Sequence, residues 1–171
     1  YQTRYGEQSD QNIKEKIKEL FHQELSVEEQ EQLATLIYYP EKRLAVLTIE
    51  QPHDWYKQTI DYLIQLIRFC SSKYTRSKLR KTFPKRFSYI IEELLSETNA
   101  HSDKKNYSYQ IIENIIGLNQ AENLIIDLSY IIQRLVVDHL HVVGDIYDRG
   151  PEPDKIIERL ITHHSLDIQW G

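Results

Sequence analysis

The sequence has one cysteine, no methionine and no apolar run long enough to span a membrane. The single Cys70 excludes an internal disulfide framework and indicates a reducing compartment, so we expect a cytoplasmic protein and a buried, inert thiol. The most apolar runs are interrupted by Gln65, Arg68, Asp127 and Gln133, and the first residues do not resemble a signal peptide. A formal net charge of −5 gives no support for nucleic acid or an anionic membrane as partner.

The absence of methionine predicts that the chain does not begin at a natural start. Its last residues, Trp170 and Gly171, follow a predicted strand, and a domain seldom stops there. We therefore expect a piece of a longer protein, holding one domain or one domain and part of another.

Hydrophobic periodicity predicts a mainly helical region over 1–137. Polar residues 1–9 are expected to form a loop, with Asp10 capping the first helix. The pattern Ser26-Val27-Glu28-Glu29 predicts a capping box, and the helix that it opens should end before Pro40. The remaining predicted elements are helices at about 41–49, 55–73, 84–95, 107–116 and 120–137, with a surface loop at 97–106.

A run rich in Val and Leu at 139–143 is typical of a buried strand, and it ends in a loop that opens with Gly144. This loop carries the carboxylates of Asp145 and Asp148 and the guanidinium of Arg149. Carboxylate oxygens suit divalent cations, and the planar guanidinium suits phosphate. Since open α/β sheets bind ligands beyond the carboxyl ends of their strands, the pattern indicates metal-assisted phosphate-ester hydrolysis.

A second strand is predicted at 166–170, after a helix that begins near Pro151 and Pro153 and ends at about Thr162. Strand, helix and strand then form a βαβ unit, which should be parallel and right-handed. The expected fold class is α/β from residue 138, preceded by the helical region 1–137.

The loop Gly144-Asp145-Ile146-Tyr147-Asp148-Arg149-Gly150 resembles the second signature of the calcineurin-like metallophosphoesterases, Gly-Asp-x-x-Asp-Arg-Gly. From about Leu20 onward, the chain is also similar to the class III fructose-1,6-bisphosphatases of bacteria. The similarity is specific at 36–40, 71–78, 89–95, 137–141 and 164–171. It implies part of a metallophosphoesterase sandwich over 138–171, with 1–137 as a large helical insertion.

The resemblance also places two further metal signatures outside the chain. The first would lie upstream of Tyr1, and the third would begin at Gly171. A dinuclear site needs several ligands. We therefore expect these residues to be inactive by themselves.

The resemblance assigns roles within the loop, and each role has a plainer alternative. Asp145 would bridge two cations, where the alternative is a turn residue that ends a strand. Asp148 would orient a catalytic histidine beyond Gly171, and it can also cap the helix that begins at Pro151. Arg149 would bind the phosphate being cleaved rather than form a surface ion pair. The implied cofactor is a dinuclear manganese centre, with other divalent ions as alternatives.

The implied activity is hydrolysis of fructose 1,6-bisphosphate in gluconeogenesis, by a homo-oligomeric enzyme. A protein serine/threonine phosphatase or another calcineurin-like phosphoesterase shares the loop. Those enzymes reach it soon after their first signature, so the long helical region argues against them. An alternative of another class is a helical module over 10–137 that serves oligomerisation or regulation.

Two other groups have a binding alternative. His139 and His141 share one side of the predicted strand and can chelate a metal, but we favour two half-buried histidines hydrogen-bonded at the flank of the sheet. The basic run 73–86 is interpreted as a solvated helix face. Its alternative is an anion site, formed by Arg76 and Lys78, for the second phosphate of the substrate or for a nucleotide or phosphometabolite effector.

Overall fold

The structure, a computed structural model, describes the chain apart from residues 1, 97–101, 138, 145, 147–151, 162–165 and 170–171, and apart from the side chains of 2–11, 102–106 and 159. The described part is mainly helical and ends in two short strands. The elements in chain order are α1 Gln2–Phe21, α2 Val27–Tyr38, α3 Pro40–Val46, α4 Pro52–Ser71, α5 Arg76–Arg80, α6 Ser88–Ser96, α7 Ser102–Gly117, α8 Ala121–Leu135, β1 Leu140–Val143, α9 Pro153–Ile161 and β2 Leu166–Gln169.

The predicted capping box at the start of α2 is confirmed. The Ser26 hydroxyl oxygen accepts from the backbone N–H of Glu29 at 3.3 Å, and the Glu29 carboxylate accepts from the backbone N–H of Ser26 at 2.8 Å. Two of the four N–H groups that a helix start leaves unpaired are therefore satisfied by this pair. The same helix ends at Tyr38, and Pro40 occupies the first turn of α3.

Four predicted helix starts were wrong. Helix α6 begins at Ser88 rather than at Pro84. In two of the other cases, polar residues continue a helix into a segment expected to be a loop. Helix α1 begins at Gln2, so residues 2–9 are not a loop and Asp10 lies inside the helix. Helix α7 begins at Ser102, within the predicted loop 97–106, of which 97–101 lie outside the described residues. Glu, Gln, Lys and Arg tolerate a helix well, and a single Gly costs only about 1 kcal/mol. Helix α4 begins at Pro52 rather than after Asp54, since the fixed φ of proline suits a first helical turn.

The sequence predicted that α7 and α8 are separated at Gly117. In the structure the chain turns two residues later, at Asn119. Asn119 takes the left-handed conformation with φ 55°. The Gln120 N–H donates to the Ile115 carbonyl at 3.0 Å, and the Asn119 N–H donates to the Ile116 carbonyl at 2.9 Å. This pair of bonds is a Schellman motif, which pairs the last carbonyls of a helix and turns the chain sharply.

The hydrophobic core belongs to the helices, with α8 packed along α4 and with α1 and α2 against that pair. Cys70 is buried among these residues, as expected for an inert thiol. The core residues that are fully shielded from solvent are Ile13, Ile17, Phe21, Ala34, Ile37, Ile60, Leu63, Leu66, Ile67, Ile91, Leu124, Ile125, Leu128, Ile131 and Ile132.

Helices α4 and α7 are joined at the surface by a carboxylate that contacts two cationic groups. The Glu113 carboxylate of α7 lies 2.5 Å from Nε2 of His53 and 2.8 Å from Nζ of Lys57, both on α4. Glu113, and then Asp54, raises the pKa of His53 above its ordinary value. Lys57 and then His53 hold the pKa of Glu113 below its ordinary value.

These shifts predict a pH-dependent contribution of His53 to stability. A raised folded pKa stabilises the fold below the unfolded value of about 6.5, and this stabilisation is lost as the pH rises through the folded pKa. We therefore expect His53→Asn to reduce the free energy of unfolding more at about pH 5.5 than at about pH 8.5, by a small amount because the group is half exposed. Urea denaturation at the two pH values measures this. In a Glu113→Gln background the pH-dependent difference should shrink, and an equal loss at both pH values in the unmodified background would contradict the assignment.

The two strands confirm the predicted parallel βαβ arrangement. Strand β1 pairs with β2 in the register Leu140 with Leu166 and Val143 with Gln169, and α9 lies between them in the chain. The strands are not buried as predicted: their residues alternate between half-buried and exposed, and Val143 is 62% exposed. Strand burial depends on the layers that cover a sheet, and the described residues cover one side of it at most.

Helix α9 also differs from its prediction. Of its expected inward set, Ile157 and Leu160 are half-buried, whereas Ile156 and Ile161 are exposed. Among the described helices, none is long and apolar enough to cross a lipid bilayer.

Candidate metal and phosphate site

The loop that carries the predicted site begins where β1 ends, and glycine is required there for conformational reasons. Gly144 has φ 110°, in the region that side chains with a Cβ rarely adopt. Its N–H donates to the carbonyl of Gln169 on β2 at 3.2 Å, which continues the sheet bonding by one residue. The chain therefore leaves the sheet at a fixed point, and Asp145 is the next residue.

The other end of the loop is fixed by a second unusual conformation. Glu152 has φ 56°, and Pro153 follows it as the first residue of α9. The Lys155 N–H donates to the Glu152 carbonyl at 3.1 Å, and the Lys155 ammonium pairs with the Glu152 carboxylate. Residues 145–151 thus connect a strand end to a helix start, which is the position that binds ligands in α/β sheets.

The three residues expected to do chemistry in this loop, Asp145, Asp148 and Arg149, lie outside the described residues. The half-buried Ile146 is described between them. Their proposed roles therefore depend on the sequence of the loop and on its two ends, and they stay predictions.

The positive φ of Gly144 predicts a measurable cost for any side chain there. A Cβ at this position would meet no atom within 4 Å, so the penalty comes from the backbone alone. We expect Gly144→Ala to lower the free energy of unfolding by about 1–3 kcal/mol, measured by chemical denaturation. Gly117→Ala is the matched control, because Gly117 has equal space but lies in the last turn of α7. It should be neutral or stabilising by up to about 1 kcal/mol. Equal effects of the two substitutions would contradict this prediction.

Beside the loop, the sheet brings together a group that sequence reasoning only partly anticipated. His139 Nε2 lies 3.0 Å from Oδ2 of Asp167, and Nδ1 of His141 lies 4.0 Å from the same oxygen. The favoured prediction of hydrogen-bonded histidines is confirmed for His139, although both rings are about half exposed. Asp167 was missed as a partner. The observed register places it opposite His141, whereas aligning the predicted strands 139–143 and 166–170 end to end would have placed it opposite Leu140.

The basic side chains of the run 73–86 are exposed, as expected, but only Arg76–Arg80 form a helix and Thr82 within the run is buried. The distal arginines are tied to neighbouring helices. Arg86 makes a two-pronged contact with Asp127 of α8, at 2.6 and 2.7 Å, and Arg80 lies 3.3 Å from Glu92 of α6. Arg76 and Lys78 are exposed on α5, whose start is capped by Thr75. The two residues proposed for an anion site therefore lie on a short, anchored element.

Comparison with known proteins identifies the family. The sequence model described as Firmicute fructose-1,6-bisphosphatase matches residues 7–171. The chain belongs to this family. The match begins earlier than the resemblance noted from about Leu20, and it includes the helices as well as the sheet.

Two relatives show how much of a fructose-1,6-bisphosphatase the chain represents. A protein of Oceanobacillus iheyensis named fructose-1,6-bisphosphatase class 3 is 57% identical over 164 residues, which are 93% of this chain and 26% of the relative. A protein of the same name from Staphylococcus aureus is 54% identical over 165 residues, which are 94% of this chain and 25% of that protein. The chain thus spans about a quarter of these relatives. No solved structure matches it.

Proposed function

We propose that the intact protein is a phosphoric monoester hydrolase that converts fructose 1,6-bisphosphate to fructose 6-phosphate and phosphate, in gluconeogenesis. The observation that carries the proposal is the 57% identity, over nearly the whole chain, to a fructose-1,6-bisphosphatase class 3. The helices support it over a protein serine/threonine phosphatase, because the family match includes them. We further propose that 138–171 is the start of a metallophosphoesterase sandwich into which the helical region 1–137 is inserted.

The donor chemistry of the loop fits the divalent cations that this proposal requires. Asp145 offers carboxylate oxygens, which suit manganese, and it follows a strand end that the bond from Gly144 to Gln169 holds in place. One carboxylate can contact two ions but cannot complete the coordination of either, so we assign the other ligands to segments of the family's proteins that this chain does not span. We propose a dinuclear manganese centre, which when bound would activate water and screen the charge that develops on phosphorus.

The side chains of the loop have separate tasks in this scheme. Asp145 would contribute carboxylate oxygens to the coordination of the cations. Arg149 holds the phosphate by its planar set of N–H donors, which orients phosphorus for in-line attack. Asp148 would position a histidine outside the chain by accepting a hydrogen bond from it, and this orientation matters because small displacements of a catalytic group cost much activity.

The test is an assay of the intact protein with manganese, in which phosphate release is measured from fructose 1,6-bisphosphate and from phosphoproteins. Turnover of the sugar bisphosphate, with little or none of the phosphoproteins, is the expected result. No phosphate from the sugar beside rapid turnover of phosphoproteins would replace the proposal with the serine/threonine phosphatase alternative.

We propose that Arg76 and Lys78 bind an anion, either the second phosphate of the substrate or a nucleotide or phosphometabolite effector. Both are exposed cations on α5, and the neighbouring Arg80 and Arg86 are already paired with carboxylates. Substituting both residues by alanine should raise the Michaelis constant or weaken the effector response by at least about tenfold, since even one charge-assisted hydrogen bond contributes about 1.5–3 kcal/mol. Lys42→Ala, which removes an exposed cation of α3, is the control. Unchanged kinetic constants and an unchanged effector response would remove the anion site.

For the helical region we propose a role in regulation or in homo-oligomer assembly, inside a cytoplasmic enzyme. Exposed apolar side chains, such as Val27 at 74% and Tyr89 at 72%, leave surface for a second copy of the protein. Deleting residues 10–137 and measuring both activity and mass in solution tests this role. Full activity with an unchanged oligomeric state would show that the helical region has no role in regulation or assembly.

A further inference from the structure

Three side chains that can bind a metal converge on one face of the small sheet. His139 and His141 point to the same side of β1 because side chains alternate along a strand. The parallel register places Asp167 of β2 opposite His141. One ring nitrogen from each histidine and one carboxylate oxygen all lie within 4.8 Å of one another.

The separations are close to those that a bound ion imposes. Zinc binds imidazole nitrogen and carboxylate oxygen at about 2.0–2.2 Å, so tetrahedral ligand atoms lie about 3.3–3.5 Å apart. The pair formed by His139 Nε2 and Asp167 Oδ2 is at 3.0 Å, and the pair formed by His141 Nδ1 and the same oxygen is at 4.0 Å. All three side chains are exposed, so small rotations are enough to place an ion between them.

A hydrogen bond between His139 and Asp167 accounts for the positions of these two side chains but not for the position of His141. His141 faces the same carboxylate oxygen, but its 4.0 Å separation is too long for a hydrogen bond. A cation between the three would satisfy both rings and neutralise the carboxylate, whereas in its absence His139 and Asp167 hold each other in place. The three side chains are therefore close enough for one ion to contact all of them.

We propose that His139, His141 and Asp167 bind one divalent transition-metal ion of the zinc class, using none of the residues assigned to the proposed centre at Asp145. Two imidazoles and one carboxylate favour zinc over magnesium or calcium, and zinc over manganese. Three protein ligands leave at least one coordination position open to water or to an exogenous ligand. The ion would link β1 to β2, the strands between which the signature loop lies in the chain, and so restrain the register that positions this loop.

The choice of ion separates this site from the proposed catalytic centre. The experiment uses the intact protein carrying Asp145→Asn, so that zinc bound at the dinuclear centre does not obscure the measurement. The metal-free protein is equilibrated with zinc in competition with a chromophoric chelator, and the bound zinc is counted by mass spectrometry. We expect one equivalent of zinc, retained in the presence of excess manganese.

Matched variants assign that equivalent to its ligands. His141→Asn and Asp167→Asn, each added to this background, should lose it or weaken its binding by more than about tenfold, which is the loss expected even for groups that only support a ligand. His22→Asn, which removes an exposed histidine at the end of α1, should retain it. Zinc binding that is unchanged in both ligand variants would overturn the proposal.

A second measurement needs no substitution at the three ligands. Cobalt replaces zinc at nitrogen and oxygen sites, and one equivalent added to the same protein should give the visible absorption of a tetrahedral or five-coordinate ion. Histidine resonances in the nuclear magnetic resonance spectrum should shift for His139 and His141 and stay in place for His53. A spectrum of hydrated cobalt only, without these shifts, would show that the three side chains hold each other and bind no ion. This result bears on the three ligands alone, because the phosphatase assay tests the proposed function independently.

Discussion

Asp145→Asn is expected to reduce phosphate release by the intact protein by at least about a hundredfold, because removal of groups that merely support a metal ligand already costs 10–100-fold. Asparagine keeps the size of the side chain and one oxygen but removes its charge. A neutral amide cannot hold two cations together, so metal content should fall along with activity. The turnover number at saturating substrate and the bound metal per subunit are the two quantities to measure.

The matched control is Asp154→Asn, which removes an exposed carboxylate from the first turn of α9. It lies four residues beyond Gly150, the last residue of the signature loop, and takes no part in the proposed chemistry, so activity and metal content should stay near those of the unmodified protein. If Asp145→Asn kept full activity and a full complement of metal, Asp145 would only end a strand, and the proposed mechanism would fail.

Leu63→Ala is expected to destabilise the helical region by about 2–5 kcal/mol, the largest stability effect that we predict. Leu63 lies on α4, is fully shielded from solvent and belongs to the core formed mainly by α4 and α8. Truncation removes buried methyl groups and leaves a cavity, which closely packed helices fill only in part. Urea denaturation of the 171-residue chain, followed by the circular dichroism of its helices, measures the change.

Leu118→Ala provides the comparison, because the same truncation at a side chain that is 69% exposed removes little buried surface. Its effect should stay within about 0.5 kcal/mol. Equal losses for the two variants would mean that α4 does not form the centre of the core.

Hydrophobic periodicity located most helices. A helix that packs on a core repeats apolar residues every three to four positions, and this pattern does not depend on how the helices are connected. The capping box at Ser26 and the break before Pro40 were predictable for local reasons, and the parallel pairing of the two strands was predictable from the order strand, helix, strand. Helix ends were less predictable, since polar residues such as those of 2–9 are compatible with both helix and loop. The residue with positive φ after α7 is Asn119, whereas the sequence suggested Gly117 as the break. Both residue types tolerate positive φ, so the sequence did not distinguish them.

The chemistry of the signature loop could be predicted from the sequence, since Asp145, Asp148 and Arg149 are neighbours along the chain and need no fold to be recognised. The sequence also determined the helical character of 1–137. Only the tertiary structure decided that Asp167 lies beside His139 and His141. These residues are separated by more than twenty positions, and strand register, which no local pattern records, brings them together.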